Sequence, residues 1–524
     1  MRRFQKKQLL GHIGLLREAC GVVKEQQPGS QKINLCADMQ DYVLAILNFL
    51  ESIAENDVEL TELFSELFRM LLGASQEEIS SEELLIQIDK IADYAQTRVS
   101  GDKLEVAFLC YKASMSDCLE SIYLAAKEDK ACDAYFIPIP YYDRNPDGTL
   151  GQMHCEGEGF YSDKFELVDW KTYDVEKRHP DAVFIMNPYD KYNYVTTVHP
   201  DFYASRLKGL TDLLVYVPYY IHNEVFGSYV GNLPGVLFAD KVIVQSENVG
   251  KQYINSMIEQ GVSPEQAEAK IVALGSPKMD KVLDSKKEEY VLPEDWQAVL
   301  GKDGEKKLVL LYNLSLESAL HYSQDENEGK YLNKLRSVLE FFKHRNDAVL
   351  WLRPHPLLEQ TFKAMLPDVY SQYQDIMKEY KELGIGIYDD SADMSRAVAY
   401  ADASFGDASS MNLLFQFAGK PVLIQNVENA GKEPAEAGSR EQVKKEMDSF
   451  VARRNYNSFI LSEAPDASNG GFSLADFIDH FDVIMEYSEA QSADYRRRYM
   501  NADGTAGQKI HEYVRQYEPA GKEI

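Results

Sequence analysis

The pattern of apolar positions changes character near residue 99. Before that point apolar residues recur every three or four positions, and no strand-like run is present. The clearest set is Leu60, Leu63, Phe64, Leu67 and Leu71. Such spacing predicts amphipathic helices, so we expect residues 1–98 to form a helical module that packs on the rest of the chain or mediates oligomerisation.

After residue 99 short apolar runs alternate with amphipathic stretches. The first series of predicted strands lies at residues 105–110, 134–140, 182–186, 213–217, 241–244 and 270–274. Helical patterns separate several of these runs, and this alternation is typical of a doubly wound parallel sheet. We therefore predict a first Rossmann-like domain at residues 99–285.

A second series of strands follows a polar stretch at residues 285–304. Its predicted strands lie at residues 307–312, 348–352, 385–388, 401–405 and 421–424. The predicted fold class is α/β, with two Rossmann-like doubly wound parallel-sheet domains that face a cleft. The second domain would cover residues 286–481. A helical C-terminal segment would follow at residues 482–524, and it could return to pack on the first domain.

Two motifs at predicted strand ends offer candidate chemistry. Arg353 and His355 follow an apolar strand, and the segment Gly406-Asp-Ala-Ser-Ser410 opens an amphipathic helix. Ligands of parallel sheets bind beyond the carboxyl ends of strands, and helix N-termini offer unpaired N–H groups to anions. The motifs therefore predict a phosphate-binding site. The alternatives are an ion pair for Arg353, helix capping for Ser409 and Ser410, and a turn or cap role for Asp407.

Composition excludes several classes of function. The formal net charge of −29 opposes nonspecific nucleic-acid binding, because that binding requires clustered Lys and Arg. No run approaches the roughly 20 apolar residues that span a bilayer. The six cysteines are scattered without the spacing of a metal site, so we expect reduced thiols and no metal.

These features indicate a cytoplasmic protein. The first seven residues carry four cations, which either begin a solvated helix or touch the inner face of the cell membrane as a peripheral contact.

Four motifs together resemble the CDP-glycerol glycerophosphotransferase family of teichoic acid polymerases and primases. They are Gly275-Ser-Pro-Lys-Met-Asp280, Arg353-Pro-His355, Gly406-Asp-Ala-Ser-Ser410 and Gly419-Lys-Pro-Val-Leu-Ile424. Their order and spacing match the family across about residues 210–430. The family is similar in architecture to GT-B glycosyltransferases, which agrees with the two predicted sheets.

The resemblance implies transfer of glycerol phosphate, or a related polyol phosphate, from a CDP-linked donor to a polyol-phosphate or glycan acceptor, without a metal or other cofactor. It assigns His355 to catalysis. It places Lys278, Arg353, Ser409 and Ser410 on the donor, and Asp407 belongs to the same loop. The product would be a teichoic acid-like polymer of the cell wall or surface.

The chain departs from the family where the acceptor is activated. Family members commonly carry a Trp-His-Gly-Thr-Pro-Leu-Lys-like segment with a catalytic His, whereas residues 214–223 here contain no His-Gly pair. His222 is the remaining candidate for that base, and the alternative is an ordinary loop histidine. The acidic residue beyond the serine pair is also replaced, by Asn412 and its neighbours.

Aromatic segments follow three strands of the first predicted sheet, at residues 138–144, 187–194 and 218–220. They would converge on one rim, where Tyr219 and Tyr220 offer ring faces and hydroxyls to a polyol, or they form a packed loop layer. Lys112 opens the first helix of that sheet and either meets an acceptor phosphate or lies at a helix cap.

Two other functions remain open. The same strand-end site would serve a GT-B glycosyltransferase with another nucleotide sugar. Alternatively, the missing His-Gly pair is consistent with a noncatalytic GT-B-like module that binds a partner through its helical N-terminal block.

Overall fold

The computed structural model of the chain describes residues 1–27, 29–53, 57–145, 147–193, 195–222, 227–301, 307–324, 329–391, 394–429, 436–453, 459–463 and 471–517. The chain begins with helices α1 (Arg3–Glu25), α2 (Ser30–Glu51), α3 (Val58–Ser75) and α4 (Ser81–Thr97). Their apolar faces form one core, which confirms the predicted helical module. Ser80 and Glu83 form a capping box that starts α4.

The cations of the first seven residues bind within the protein. The pairs are Arg2 with the carbonyl of Lys177, Arg3 with Asp181, Lys6 with Asp102, and Lys7 with Asp212. Lys6 is 6% exposed, and its ammonium also donates to the carbonyls of Gln96 and Val99. These contacts dock the start of α1 on the first domain, so this helix start is less solvated than the sequence suggested.

The described residues of the first domain form nine strands. They are β1 (Leu104–Cys110), β2 (Cys132–Pro138), β3 (Tyr141–Arg144), β4 (Leu150–His154), β5 (Ala182–Ile185), β6 (Thr196–Val198), β7 (Leu213–Tyr216), β8 (Lys241–Val244) and β9 (Ile271–Ala273). Six of them form a parallel sheet in the order β2-β1-β5-β7-β8-β9. Both faces of this sheet are buried, as its continuous apolar strands predict.

Helices surround this sheet. They are α5 (Glu120–Glu128), α6 (Val175–Arg178), α7 (Ala204–Leu207), α8 (Pro234–Phe238), α9 (Glu247–Glu259), α10 (Pro264–Lys270) and α11 (Pro277–Asp284). The structure also has an antiparallel sheet in the order β4-β3-β6, which the sequence pattern did not predict. Because β3 begins three residues after β2 ends, this sheet lies at the carboxyl edge of the first one.

The second domain repeats the parallel arrangement. Its strands are β10 (Leu308–Leu314), β11 (Ala348–Pro354), β12 (Gly386–Tyr388), β13 (Ala403–Gly406), β14 (Val422–Ile424) and β15 (Ile460–Ser462), in the order β12-β11-β10-β13-β14-β15. All pairs are parallel. The prediction of two doubly wound parallel sheets is therefore confirmed.

The remaining helices are α12 (Glu294–Leu300), α13 (Leu316–His321), α14 (Lys330–Lys343), α15 (Leu358–Met365), α16 (Pro367–Leu383), α17 (Met394–Tyr400), α18 (Ser410–Phe417), α19 (Arg440–Arg453), α20 (Leu474–Asp479), α21 (Phe481–Arg496) and α22 (Ala506–Gln516). Among the described residues, no helix combines the length and apolarity needed to span a membrane.

The two domains meet through an apolar cluster at the carboxyl edges of their sheets. Ile221 from the loop after β7 belongs to the same buried cluster as Met279 of α11 and Met411 in the first turn of α18. Helix α11 contacts α5 on one side and α17 and α18 on the other. The ends of the strands in both sheets are thereby held near one junction.

The C-terminal helix α22 crosses back to the first domain. Ile510 and Val514 are buried in the core of that domain. Asp280 accepts hydrogen bonds from the N–H groups of Ala506 (3.1 Å) and Gly507 (2.7 Å), so its carboxylate lies at the N-terminus of α22.

The close approach of α22 and α5 yields a stability prediction. A Cβ on Gly507 would lie 2.4 Å from the backbone carbon of Ser121, so Gly507→Ala should lower the free energy of unfolding by ~1–3 kcal/mol. Gly14→Ala is the control, because nothing lies within 4 Å of its Cβ, and it should raise stability by ~0.5–1 kcal/mol. Urea denaturation measures both, and equal stabilisation by the two changes would contradict the packing described.

Candidate functional site

The two strand-end motifs meet at the end of β10. This strand pairs with β11 on one side and with β13 on the other. The N–H of His355 donates to the carbonyl of Leu314 (3.1 Å), and Asn313 Nδ2 donates to Ser409 Oγ (2.8 Å). Strand order reverses between β10 and β13, which is the position where doubly wound sheets bind ligands.

The loop that carries Ser409 and Ser410, called here the serine loop, joins a glycine with positive φ to the N-terminus of α18. Gly406 has φ +122°, and a Cβ there would lie 2.4 Å from the carbonyl oxygen of Asn313. Ser409 Oγ accepts the N–H of Met411 (3.2 Å) as the cap of α18, while Ser410 is exposed as the first residue of that helix. Ser409 therefore has the capping role and takes the N–H of Met411, while the exposed Ser410 lies at the start of the helix, where an anion is favoured.

Asp407 lies beneath the serine loop rather than in it. Its carboxylate accepts hydrogen bonds from the N–H of Ser315 (2.8 Å), from Ser318 Oγ (2.8 Å) and from the ammonium of Lys334. Lys334 is 0% exposed and Asp407 5% exposed. The buried ion pair fixes the loop, and no sequence pattern pointed to Lys334 as the partner of Asp407.

Arg353 is tied to a buried carboxylate. Its Nη1 lies 2.9 Å from Asp389 Oδ2, and its Nη2 donates to the carbonyl of Ser391 (2.6 Å). Asp389 is 0% exposed and also accepts from Trp351 Nε1 (3.0 Å). Burial opposes ionisation of Asp389, but Arg353 and these hydrogen bonds outweigh it, so the pKa of Asp389 is below its ordinary value. The guanidinium has the ion-pair role that the sequence left as an alternative.

His355 presents its ring to solvent beside this cluster. Its Nδ1 accepts the N–H of Leu357 (3.1 Å), so the neutral imidazole carries its proton on Nε2. Partial desolvation lowers the pKa of His355 below its ordinary value. A neutral ring with an outward Nε2–H is a hydrogen-bond donor suited to a phosphate oxygen.

Lys278 is buried at the domain junction. It is 6% exposed, and its ammonium binds Asp117 in the 3₁₀ helix Ala113–Cys118 of the first domain. Because α11 also contacts α18, Lys278 lies between the two halves of the candidate site. In this arrangement its charge is neutralised by the first domain.

His222 lies in the core of the first domain. It is 5% exposed, and its ring Nε2 lies 2.5 Å from the hydroxyl of Tyr253. The backbone N–H of His222 donates to Gln245 Oε1 (2.9 Å). Desolvation lowers the pKa of His222 to about 4. The ring is therefore a neutral core group at physiological pH.

The aromatic segments of the first domain converge at the carboxyl edge of its sheet. Tyr219 and Tyr220 make an edge-to-face pair with centroids 4.9 Å apart, and both are partly exposed. Lys112 Nζ lies 5.0 Å from the ring centroid of Tyr141. Desolvation lowers the pKa of Lys112, against the attraction of neighbouring carboxylates. These residues line one rim of the first domain, at the carboxyl edge of its sheet.

Comparisons with known proteins describe similarity of overall arrangement. No family model and no curated protein matches the chain. Among solved structures it is similar to a putative UDP-N-acetylglucosamine 2-epimerase from Listeria monocytogenes (13% identity, TM-score 0.43, covering 80% of this chain and 100% of that one). It is also similar to the wall teichoic acid polymerase TagF (14% identity, TM-score 0.44, covering 88% and 98%).

A third similar structure is the UDP-GlcNAc 2-epimerase from Neisseria meningitidis bound to UDP-GlcNAc (11% identity, TM-score 0.42, covering 79% of this chain and 100% of that one). Identities this low do not transfer an activity to the present chain.

The buried ion pair between Lys334 and Asp407 predicts that the effects of mutating these two residues on stability are strongly coupled. Lys334→Met or Asp407→Asn alone should each lower the free energy of unfolding by ~3–5 kcal/mol, because each leaves a buried group without its partner. The double variant should lose less than the sum of the two, since no isolated charge remains. Chemical denaturation of all four proteins measures the coupling, and additive losses would contradict it.

The lowered pKa of His222 predicts that this residue makes the free energy of unfolding depend on pH. The unfolded histidine binds a proton below about pH 6.5, whereas the folded one does so only near pH 4. Stability should therefore fall as pH drops through this window, by about 3 kcal/mol in total from this residue. His222→Asn should reduce the fall, measured by denaturation at pH 7 and about pH 4.5. The exposed His344→Gln control should keep the wild-type slope.

Proposed function

We propose that the protein is a transferase that moves glycerol phosphate, or a related polyol phosphate, from a CDP-linked donor to a polyol-phosphate or glycan acceptor in assembly of a surface polymer. The observation that carries this proposal is the meeting of His355 and Ser409-Ser410 at the end of β10. The order of the four sequence motifs supports the choice of donor.

The donor diphosphate would bind at the N-terminus of α18. The exposed Ser410 at the start of α18 would supply neutral donors, and the Nε2–H of His355 would supply another from the adjacent loop. In the reaction the acceptor hydroxyl attacks the β-phosphorus, and the bond from that phosphorus to the oxygen of CMP breaks. Donors placed at the diphosphate stabilise charge that develops on the leaving CMP.

The charged residues around the motifs have different roles in this proposal. Arg353 and Asp407 hold the two loops in place through Asp389 and Lys334, without contacting the donor. Lys278 would contact the donor only after it leaves Asp117. Its position between the domains makes this exchange a candidate step of domain closure.

A glycosyltransferase reaction with another nucleotide sugar is the second candidate, because the N–H groups and His355 recognise phosphate rather than base. Thermal-shift measurements with CMP, CDP, UDP and GDP separate the two. A nucleotide present at ~100 times its Kd should add about 2.7 kcal/mol of stability. Stabilisation by UDP or GDP but not by CMP or CDP would overturn the CDP-linked donor.

His355→Gln tests the proposed chemistry. With CDP-glycerol and a polyol-phosphate acceptor, the wild-type protein should release CMP. The variant should release it ~100-fold or more slowly, because one donor to the leaving group is lost. His344→Gln is the matched control, as that ring is exposed in the same domain and pairs with Glu340.

Two results would contradict the proposal. One is the absence of CMP release by the wild-type protein, which would favour a noncatalytic partner-binding module. The other is wild-type release by His355→Gln. Unchanged thermal midpoints in both variants would show that neither result comes from misfolding.

A further inference from the structure

A second group of titratable side chains lies on the antiparallel sheet at the carboxyl edge of the first domain. Tyr141 of β3 and His154 of β4 are directly opposite in the strand register. Their rings stack with centroids 5.2 Å apart and planes 27° apart. Asp143 is two residues beyond Tyr141, and its Oδ2 lies 2.7 Å from His154 Nε2. The result is an aspartate–histidine pair supported by a tyrosine ring.

The histidine of this pair has a defined reactive nitrogen. A carboxylate bound to Nε2 favours the proton on that atom, so the lone pair of the neutral ring is on Nδ1. No described residue hydrogen-bonds to Nδ1. The imidazole is 33% exposed, which leaves room for a ligand hydroxyl. An aspartate that orients an imidazole and stabilises its protonated form is the arrangement used by histidine general bases.

Lys112 lies on the same tyrosine ring. Its Nζ is 5.0 Å from the ring centroid of Tyr141 and 5.9 Å from that of Tyr111. No oxygen of the described residues accepts a hydrogen bond from this ammonium or forms an ion pair with it. Lys112 lies two residues beyond the end of β1, where the strand order of the first sheet reverses between β1 and β5. A half-buried cation at this position is suited to an anionic ligand.

Glu156 limits where that anion binds. Its Oε2 accepts the N–H of Ala113 (2.6 Å) at the start of the 3₁₀ helix Ala113–Cys118. This carboxylate accepts the hydrogen bond from a backbone N–H that would otherwise be available to a phosphate oxygen. It therefore leaves the ammonium of Lys112, rather than the backbone N–H of Ala113, as the group that meets an anionic ligand.

We propose that Lys112 and His154 form the acceptor site: Lys112 binds the phosphate of a polyol phosphate, and His154 accepts the proton of its attacking hydroxyl. The catalytic part of this assignment rests on the proposed transferase function. Asp143 is a positioning residue that acts through His154. The ligand class is a short polyol carrying a phosphate, with the exposed faces of Tyr219 and Tyr220 on the same rim available to its carbon chain.

The proposed step balances without any further reactant. The hydroxyl oxygen forms a bond to the β-phosphorus of the donor while its proton moves to Nδ1 of His154. The bond from that phosphorus to CMP breaks, and CMP keeps the electron pair. Asp143 then pairs with an imidazolium, whose proton is lost to solvent before the next cycle.

Binding of the acceptor is testable without a donor. In protein with ¹⁵N-labelled histidine, sn-glycerol 3-phosphate should shift the imidazole signals of His154, which are assigned by their loss in His154→Gln. Glycerol without phosphate should not shift them at the same concentration. Lys112→Gln should abolish the response. Lys171→Gln is the matched control, because that exposed lysine also lies over an aromatic ring, and it should keep the response.

Catalysis is tested by CMP release. His154→Gln should lower kcat by ~10²–10⁴-fold with unchanged affinity for CDP-glycerol, the loss typical of a removed general base. Lys112→Gln should raise the KM for the acceptor more than it lowers kcat. Asp143→Asn should lower kcat while the KM values for donor and acceptor stay unchanged, because His154 loses the group that orients its ring but the binding residues remain.

The two proposals fail in different ways. If the wild-type protein releases no CMP, the proposed function fails, and the NMR titration still decides whether the acceptor site exists. If CMP is released but glycerol phosphate does not move the His154 signals, the acceptor site is wrong. A response in the titration together with wild-type kcat in His154→Gln would overturn the assignment of the base. Unchanged thermal midpoints exclude misfolding in each case.

Discussion

Parallel pairing of β10 with both β11 and β13 is the constraint on which the second-domain site depends. The motifs after β11 and β13 are about fifty residues apart in sequence, yet parallel strands end at one edge of a sheet. Leu314 and Asn313 then bind the His355 loop and Ser409 directly. Both loops are positioned by one strand end, so their separation does not depend on long flexible connections.

Charges that the sequence placed in the site instead support it from beneath. Asp407 and Arg353 each pair with a buried partner, Lys334 and Asp389, and each pair fixes the loop above it. A buried charge requires a partner because desolvation is costly, and a rigid loop keeps neutral donors in place for a ligand. The predicted site residues of the two loops that remain exposed to a ligand are Ser410 and His355.

Local pattern was sufficient to predict the two parallel sheets and all of their described strands except β15, because buried parallel strands are continuous apolar runs. It was not sufficient for the partners of buried charges. Lys334 is 73 residues from Asp407, and no local rule connects them. The antiparallel sheet was also missed, since β3 is short, half-exposed and begins directly after Pro140. His154 therefore lay on no predicted strand and was not among the predicted site residues.

The return of α22 to the first domain has a consequence for synthesis of the chain. Asp280 is translated long before its hydrogen-bond partners. The backbone N–H groups of Ala506 and Gly507 follow it in the chain by 226 and 227 residues. Until then the surface of α5 that packs against α22 stays exposed, while the second domain already has all of its strands. The domain that is translated first is therefore completed last, and a ribosome-bound chain exposes an apolar surface that chaperones recognise.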